Sequence, residues 1–127
     1  MNGTVKEWIQ EAEGDYTTAA REVHARESPN YDAACFHAEQ CVEKLMKALP
    51  IHRGVTPPRP HDLAVLDRLL APACLEWLWP VEELRLLTRA AVEFRYPGES
   101  ADAEQAAKAF ETATRMRSKL RELLDYS

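Results

Sequence analysis

The chain has 127 residues, 46% of them hydrophobic and 29% charged, with a net charge of −5. That size and balance suit one globular domain over residues 1–127, with a core that needs neither disulfide nor metal to close it. The acidic balance excludes a protein that coats nucleic acid through bulk positive charge, though not a local basic groove, and no apolar run approaches a membrane span.

The first helix is expected from about Thr4 to Arg26. Thr4 followed by Glu7 reads as a capping box. Val5, Trp8, Ile9, Ala12, Tyr16, Ala19, Ala20 and Val23 recur at helical steps and form one apolar stripe, with Glu7, Glu11, Glu13 and Asp15 assigned to water. Gly14 lies mid-helix, where it costs about 1 kcal/mol against alanine, and is read as a mark of close helix approach. Ser28-Pro29-Asn30 makes the turn.

The second helix is expected over Tyr31 to Leu49, with Tyr31, Ala34, Cys35, Ala38, Val42, Leu45, Met46 and Leu49 inward. Two long helices joined by a short turn imply an antiparallel hairpin. The stretch from Pro50 to Pro60 breaks the pattern, and Pro57-Pro58-Arg59-Pro60 is expected to be extended. A short third helix follows from His61 or Asp62 to Leu70. Cys74, Leu75, Trp77, Leu78 and Trp79 then form an apolar patch readable as core or as interface. The fourth helix runs from Pro80 or Val81 to Phe94, and Arg95-Tyr96-Pro97-Gly98 ends it. Ser100 is expected to cap a fifth helix from Ala101 to about Tyr126. Few β-branched residues and only four glycines complete an all-α composition.

The polar residues carry less information than the apolar ones. His37, Gln40, Lys44 and Lys47 share one face of the second helix along about 15 Å, a pattern that suits phosphate but also an ordinary solvated face with a Glu43–Lys47 pair. His61 opens a helix after a stiff loop, where it can cap or serve as a general acid or base. Arg95 can bond the last carbonyls of its helix or clamp a phosphate, and Tyr96 can seal the core or stack on a base. Lys108, Arg115, Arg117, Lys119 and Arg121 suit the dipole of the fifth helix better than a nucleic-acid stripe.

No metal site, cofactor motif or nucleotide-binding glycine loop is expected. His24, His37, His52 and His61 fall on different elements. Cys35, Cys41 and Cys74 lack CxxC spacing, and the first two lie about 240° apart around one helix. Reduced thiols and an acidic, amphipathic N-terminus unlike a signal peptide give a cytoplasmic expectation.

Four pieces in order resemble the HEPN family of small helical domains. They are Trp8, Ala12, Asp15 and Tyr16; Phe36, Ala38, Gln40, Glu43, Lys44, Lys47 and Ala48; His61-Asp62-Leu63; and Arg95-Tyr96-Pro97. The resemblance implies an antiparallel up-and-down bundle of four main helices plus a short one, a homodimer, and a minimal nucleotidyltransferase as partner in a toxin–antitoxin pair. It brings Gln40, Lys44, Lys47, His61, Arg95 and Tyr96 forward as a nucleotide- or RNA-phosphate-binding set. Catalytic HEPN ribonucleases carry an arginine separated from a following histidine by four to six residues. This chain has Arg21-x2-His24, Arg26-x10-His37, Arg53-x7-His61 and Arg59-x-His61 instead. The expectation is therefore a binding module, with a metal-independent ribonuclease using His61 and Arg95 as the alternative.

Overall fold

A computed structural model describes residues 3–56, 59–94 and 96–125. Among these described residues five helices follow one another: α1 (Gly3–Val23), α2 (Tyr31–His52), α3 (Leu63–Leu70), α4 (Val81–Glu93) and α5 (Ala103–Leu123). Among the described residues there is no strand. The architecture is the expected all-α bundle, four long helices and a short one.

α2 is the axis of the bundle, because it packs against each of the other four helices. Its sequence explains this. Ala34, Cys35, Ala38, Cys41, Val42, Leu45, Met46, Ala48 and Leu49 are all fully buried, so apolar side chains cover most of its circumference rather than one stripe. Small residues let neighbours come close: Ala12 and Ala19 of α1, and Ala106, Ala109 and Ala113 of α5, are buried with no exposure. Tyr16 stacks on Phe110 at 5.1 Å between ring centroids, and its hydroxyl meets that of Thr114 at 3.1 Å.

Helix ends depart from expectation for local reasons. α1 already begins at Gly3, so Thr4 lies inside the first turn and does not cap it, and the helix stops at Val23, short of Arg26. Gly14 has nothing within 4 Å of where a Cβ would sit, so it marks no close approach. Asn30 caps α2 by accepting the Ala33 N–H at 2.9 Å. α2 runs through Pro50 to His52, beyond Leu49. Proline fixes φ near the helical value but removes the N–H that would bond the Met46 carbonyl, and the helix ends two residues later. Arg53 N–H then bonds the Leu49 and Pro50 carbonyls, and Gly54 reverses the chain at φ 79°.

Asp62, not His61, caps α3, accepting the Ala64 and Val65 N–H groups at 2.9 and 3.3 Å. Thr88 of α4 accepts the Leu63 N–H at 3.1 Å, which ties α3 to α4. At α5 the cap is Asp102 rather than Ser100. Its carboxylate accepts the Gln105 N–H while the Gln105 side chain accepts the Asp102 N–H, a reciprocal pair that satisfies two otherwise orphaned donors. α5 ends at Leu123, and the expected endpoint Tyr126 lies outside the described residues, as do Pro57 and Pro58.

The tryptophan-rich segment holds no helix: a turn at 75–76 leads into irregular chain over 77–80. Trp77 is core: it is 2% exposed, and its indole N–H donates to Asp67 at 2.6 Å. Trp79 stacks on it at 5.4 Å, donates to Glu83, and carries the Arg115 guanidinium 5.9 Å from its ring. Leu75 and Leu78 point away from the core into solvent.

Candidate functional site

The polar face of α2 is divided between two sides of the bundle. Toward α1, Asp15 is 8% exposed and sits among the apolar contacts between the helices. The expectation that it faces water is corrected here. His37 Nδ1 lies 2.7 Å from one of its oxygens and Lys44 Nζ donates to the other at 2.6 Å. Burying this carboxylate is offset by two directed partners, as a buried charge requires. Nearby, Glu13 receives Arg117 through two nitrogens and Arg121 through one, and the Arg117 guanidinium lies 4.1 Å from the centre of the Tyr16 ring. Arg115 pairs with Glu83 at 3.0 Å, and Lys119 with Glu122 at 3.8 Å. Four of the five basic residues of α5 thus have carboxylate partners within the chain.

On the other side, α2, the start of α3 and α4 border an open cavity of about 510 Å³. Phe36, Glu39, Gln40 and Glu43 line it from α2, His61 and Asp62 from the start of α3, and Thr88, Ala91 and Val92 from α4. Glu39 and Glu43 are only 3% and 4% exposed, yet they are four residues apart on one helix face, where side chains meet. Burial, reinforced by the neighbouring Glu43, pushes the Glu39 carboxyl up to about 8. Near neutral pH Glu39 is therefore predominantly a neutral acid, with the Gln40 amide donating to it at 2.8 Å.

Glu43 is the hub of the cluster. Its Oε2 receives Lys47 Nζ at 3.3 Å and faces His61 Nδ1 at 3.0 Å. Its Oε1 is buried without a hydrogen-bond partner. Glu39 and Glu43 also interact through their side chains, which helps to hold the proton on Glu39. The His61 side chain is 81% exposed, which leaves its other ring nitrogen open to solvent. This arrangement anchors one side of an imidazole on a carboxylate and leaves the other facing solvent.

Gln40 and His61 meet at this cavity. Lys44 does not join them, since it is bound to Asp15 in the seam with α1. Lys47 is buried, pairs with Glu43, and lies 5.9 Å from the centre of the Trp8 ring. Tyr96 is exposed in the turn after α4. Arg95 lies outside the described residues. Sequence reasoning missed Asp15, Glu39 and Glu43. The signal was register: Asp15 sits three residues after Ala12 and four before Ala19, and Glu39 falls between Cys35 and Val42 on an inward stripe. A carboxylate on an apolar stripe requires a partner, and that requirement was legible.

No group of three or more metal-ligating side chains is clustered among the described residues. Cys35, Cys41 and Cys74 are buried free thiols. No helix among the described residues is long and apolar enough to cross a membrane.

A family model described as "HEPN domain" matches residues 5–123. The chain is similar to TT1696 from Thermus thermophilus, whose crystal structure superposes with a TM-score of 0.78 at 22% identity, covering 96% of this chain and 99% of that one. It is also similar to ST0689, an archaeal HEPN homologue, with a TM-score of 0.67 at 21% identity over 94% of this chain and 97% of that one. No curated protein matches the chain significantly.

Proposed function

The chain belongs to the HEPN domain family, and within that family we propose that it is a non-catalytic binding module, acting as a homodimer and paired with a minimal nucleotidyltransferase in a toxin–antitoxin arrangement. One observation carries the non-catalytic part. Two of the cations brought forward for phosphate are committed elsewhere, Lys44 to Asp15 and Lys47 to Glu43, and no arginine is separated from a following histidine by four to six residues. Phosphoryl-transfer catalysis depends on such cations at the developing charge. The ligand-facing surface in this reading is the cavity beside α2, with Gln40 and His61 as its polar contacts. Of the proposed phosphate-binding set, His61 lines the cavity with its side chain open to solvent.

The test is biochemical and genetic. The purified chain, free of added metal, should leave a structured RNA substrate intact. Expressed without its nucleotidyltransferase partner, it should not arrest growth, and tagged chain should retain that partner through purification. Metal-independent cleavage abolished by His61→Ala would overturn the proposal. That outcome belongs to the second reading, a ribonuclease using His61 and Arg95. Its support is the imidazole anchored on Glu43 at 3.0 Å with its far nitrogen exposed, a geometry compatible with a general base.

A further inference from the structure

We infer that the groove between α4 and α5 is a docking site for a partner polypeptide segment that sets one bulky apolar side chain between two acidic residues. The apolar side chain lies on Leu86, Ala90 and Phe94, and the acids face Arg89 and Lys108. The inference rests on the reading of the chain as a binding module and adds a second surface, separate from the cavity beside α2.

The floor follows from the sequence. Leu86, Ala90 and Phe94 recur at four-residue steps, so they form one stripe along α4. All three are half-buried and pack against the core, which leaves part of each open. They line a groove of about 240 Å³ against α5. That is smaller than the pockets that enclose a drug-sized ligand, and it suits a single bulky side chain.

The rims carry cations that the fold leaves unused. Arg115, Arg117, Lys119 and Arg121 of α5 all have carboxylate partners, and Lys108 is the exception. Glu104 precedes it by four residues and Glu111 follows it by three, both within helical reach, yet it pairs with neither. On the opposite wall Arg89 also has no ion pair among the described residues, although Glu93 lies four residues on. Both cations are exposed. Gln105 lines the same wall as Lys108. Its side-chain carbonyl accepts the Asp102 N–H, so what it offers the groove is amide N–H.

Charge and geometry select the occupant. Arg89, Lys108 and Gln105 all donate, and Glu93 is the one acid in the described lining. Arg89 and Lys108 stand on different helices with the apolar stripe between them. That spacing fits two separate carboxylates flanking an apolar group better than a single phosphate, which gains most from converging cations. Farther along the groove Glu83, Glu104 and Glu111 join the lining, and Arg115 is taken by Glu83. Acids outnumber cations there, so the acid-accepting part is confined to the Phe94 end. An acidic segment thus finds complementary charge on both rims, and a basic one does not.

The experiment is an amide-resolved NMR titration of the full chain with a capped tripeptide, phenylalanine flanked by two glutamates. Saturable shifts are expected at Ala90, Phe94, Gln105 and Lys108. Binding should be about tenfold weaker when glutamines replace the glutamates, as the loss of two exposed ion pairs implies. It should also weaken severalfold when alanine replaces the phenylalanine, and fall as salt is raised. Arg89→Glu combined with Lys108→Glu, both on exposed positions that leave folding intact, should abolish binding of the acidic peptide. That variant should instead take phenylalanine flanked by two lysines, which the wild type binds at least tenfold more weakly than the acidic peptide. Absence of saturable shifts with the acidic peptide, equal binding of the glutamine peptide, or undiminished binding by the double variant would each overturn the inference. So would adenosine monophosphate shifting these amides where the peptide does not. The two readings fail separately. Retention of the nucleotidyltransferase without any peptide binding sinks this inference alone, whereas RNA cleavage by the isolated chain sinks the non-catalytic reading.

Discussion

Replacing Glu39 by glutamine should remove a specific slope from the pH dependence of stability. The folded chain holds the Glu39 proton up to about pH 8, against an ordinary value of 4.5. In the unfolded chain the proton leaves near the ordinary value, so across this window the folded state binds more protons. Stability contributed by that proton is therefore complete at low pH and is lost as pH rises toward the folded value. At about 1.36 kcal/mol per pH unit the whole window would be worth at most about 5 kcal/mol. When the proton leaves, Lys47 and water can rearrange around the new charge, so an effective loss of about 2 kcal/mol is expected. For a domain of this length that is about 6–12 °C in melting temperature. Glutamine keeps the shape and still donates an N–H toward Glu43, but it cannot ionise. Urea denaturation of both proteins at pH 5 and pH 8.5 measures the difference directly, because all other titrating groups are common to the pair. Parallel stability profiles would show that Glu39 is not held neutral in the folded chain, and would refute the reasoning.

Three further outcomes follow from buried groups. Asp15→Ala should cost about 3 kcal/mol in urea unfolding, because Lys44 and His37 lose their shared carboxylate inside the bundle, and a loss under about 0.5 kcal/mol would return Asp15 to the surface. Trp77→Ala should cost about 3–5 kcal/mol, and Trp77→Phe much less, since Phe refills most of the volume and forfeits only the bond to Asp67. Burial pushes the thiol of Cys35 up to about 11 and that of Cys41 up to about 12, so both should resist an exposed-thiol reagent at pH 8 in the native protein. All three cysteines should then react promptly in 6 M guanidinium, and fast labelling of Cys41 in the folded chain would contradict its position in the core.

The sequence by itself determined the helices and the family. Helical periodicity is local, and the apolar positions of α1, α2, α4 and α5 recur at three- and four-residue steps regardless of what they pack against. Short motifs in order, from Trp8 to Tyr96, were enough for the HEPN assignment that the family match now supports over residues 5–123. Helix ends were less legible because caps compete within a few residues: Asp102 outdoes Ser100 by having Gln105 three positions on, and Asp62 displaces His61 from the cap. Only the tertiary structure decided what the polar face of α2 does. Periodicity places a side chain inward or outward, but a partner 18 or 29 residues away is set by how helices pack and how the proline-rich loop returns. So Lys44 and Lys47, read as cations available to a ligand, are held by Asp15 and Glu43. The cavity belongs instead to two carboxyls and the histidine that the loop delivers to them. A buried charge must find its counterpart in space, and chain order does not record where that counterpart lies.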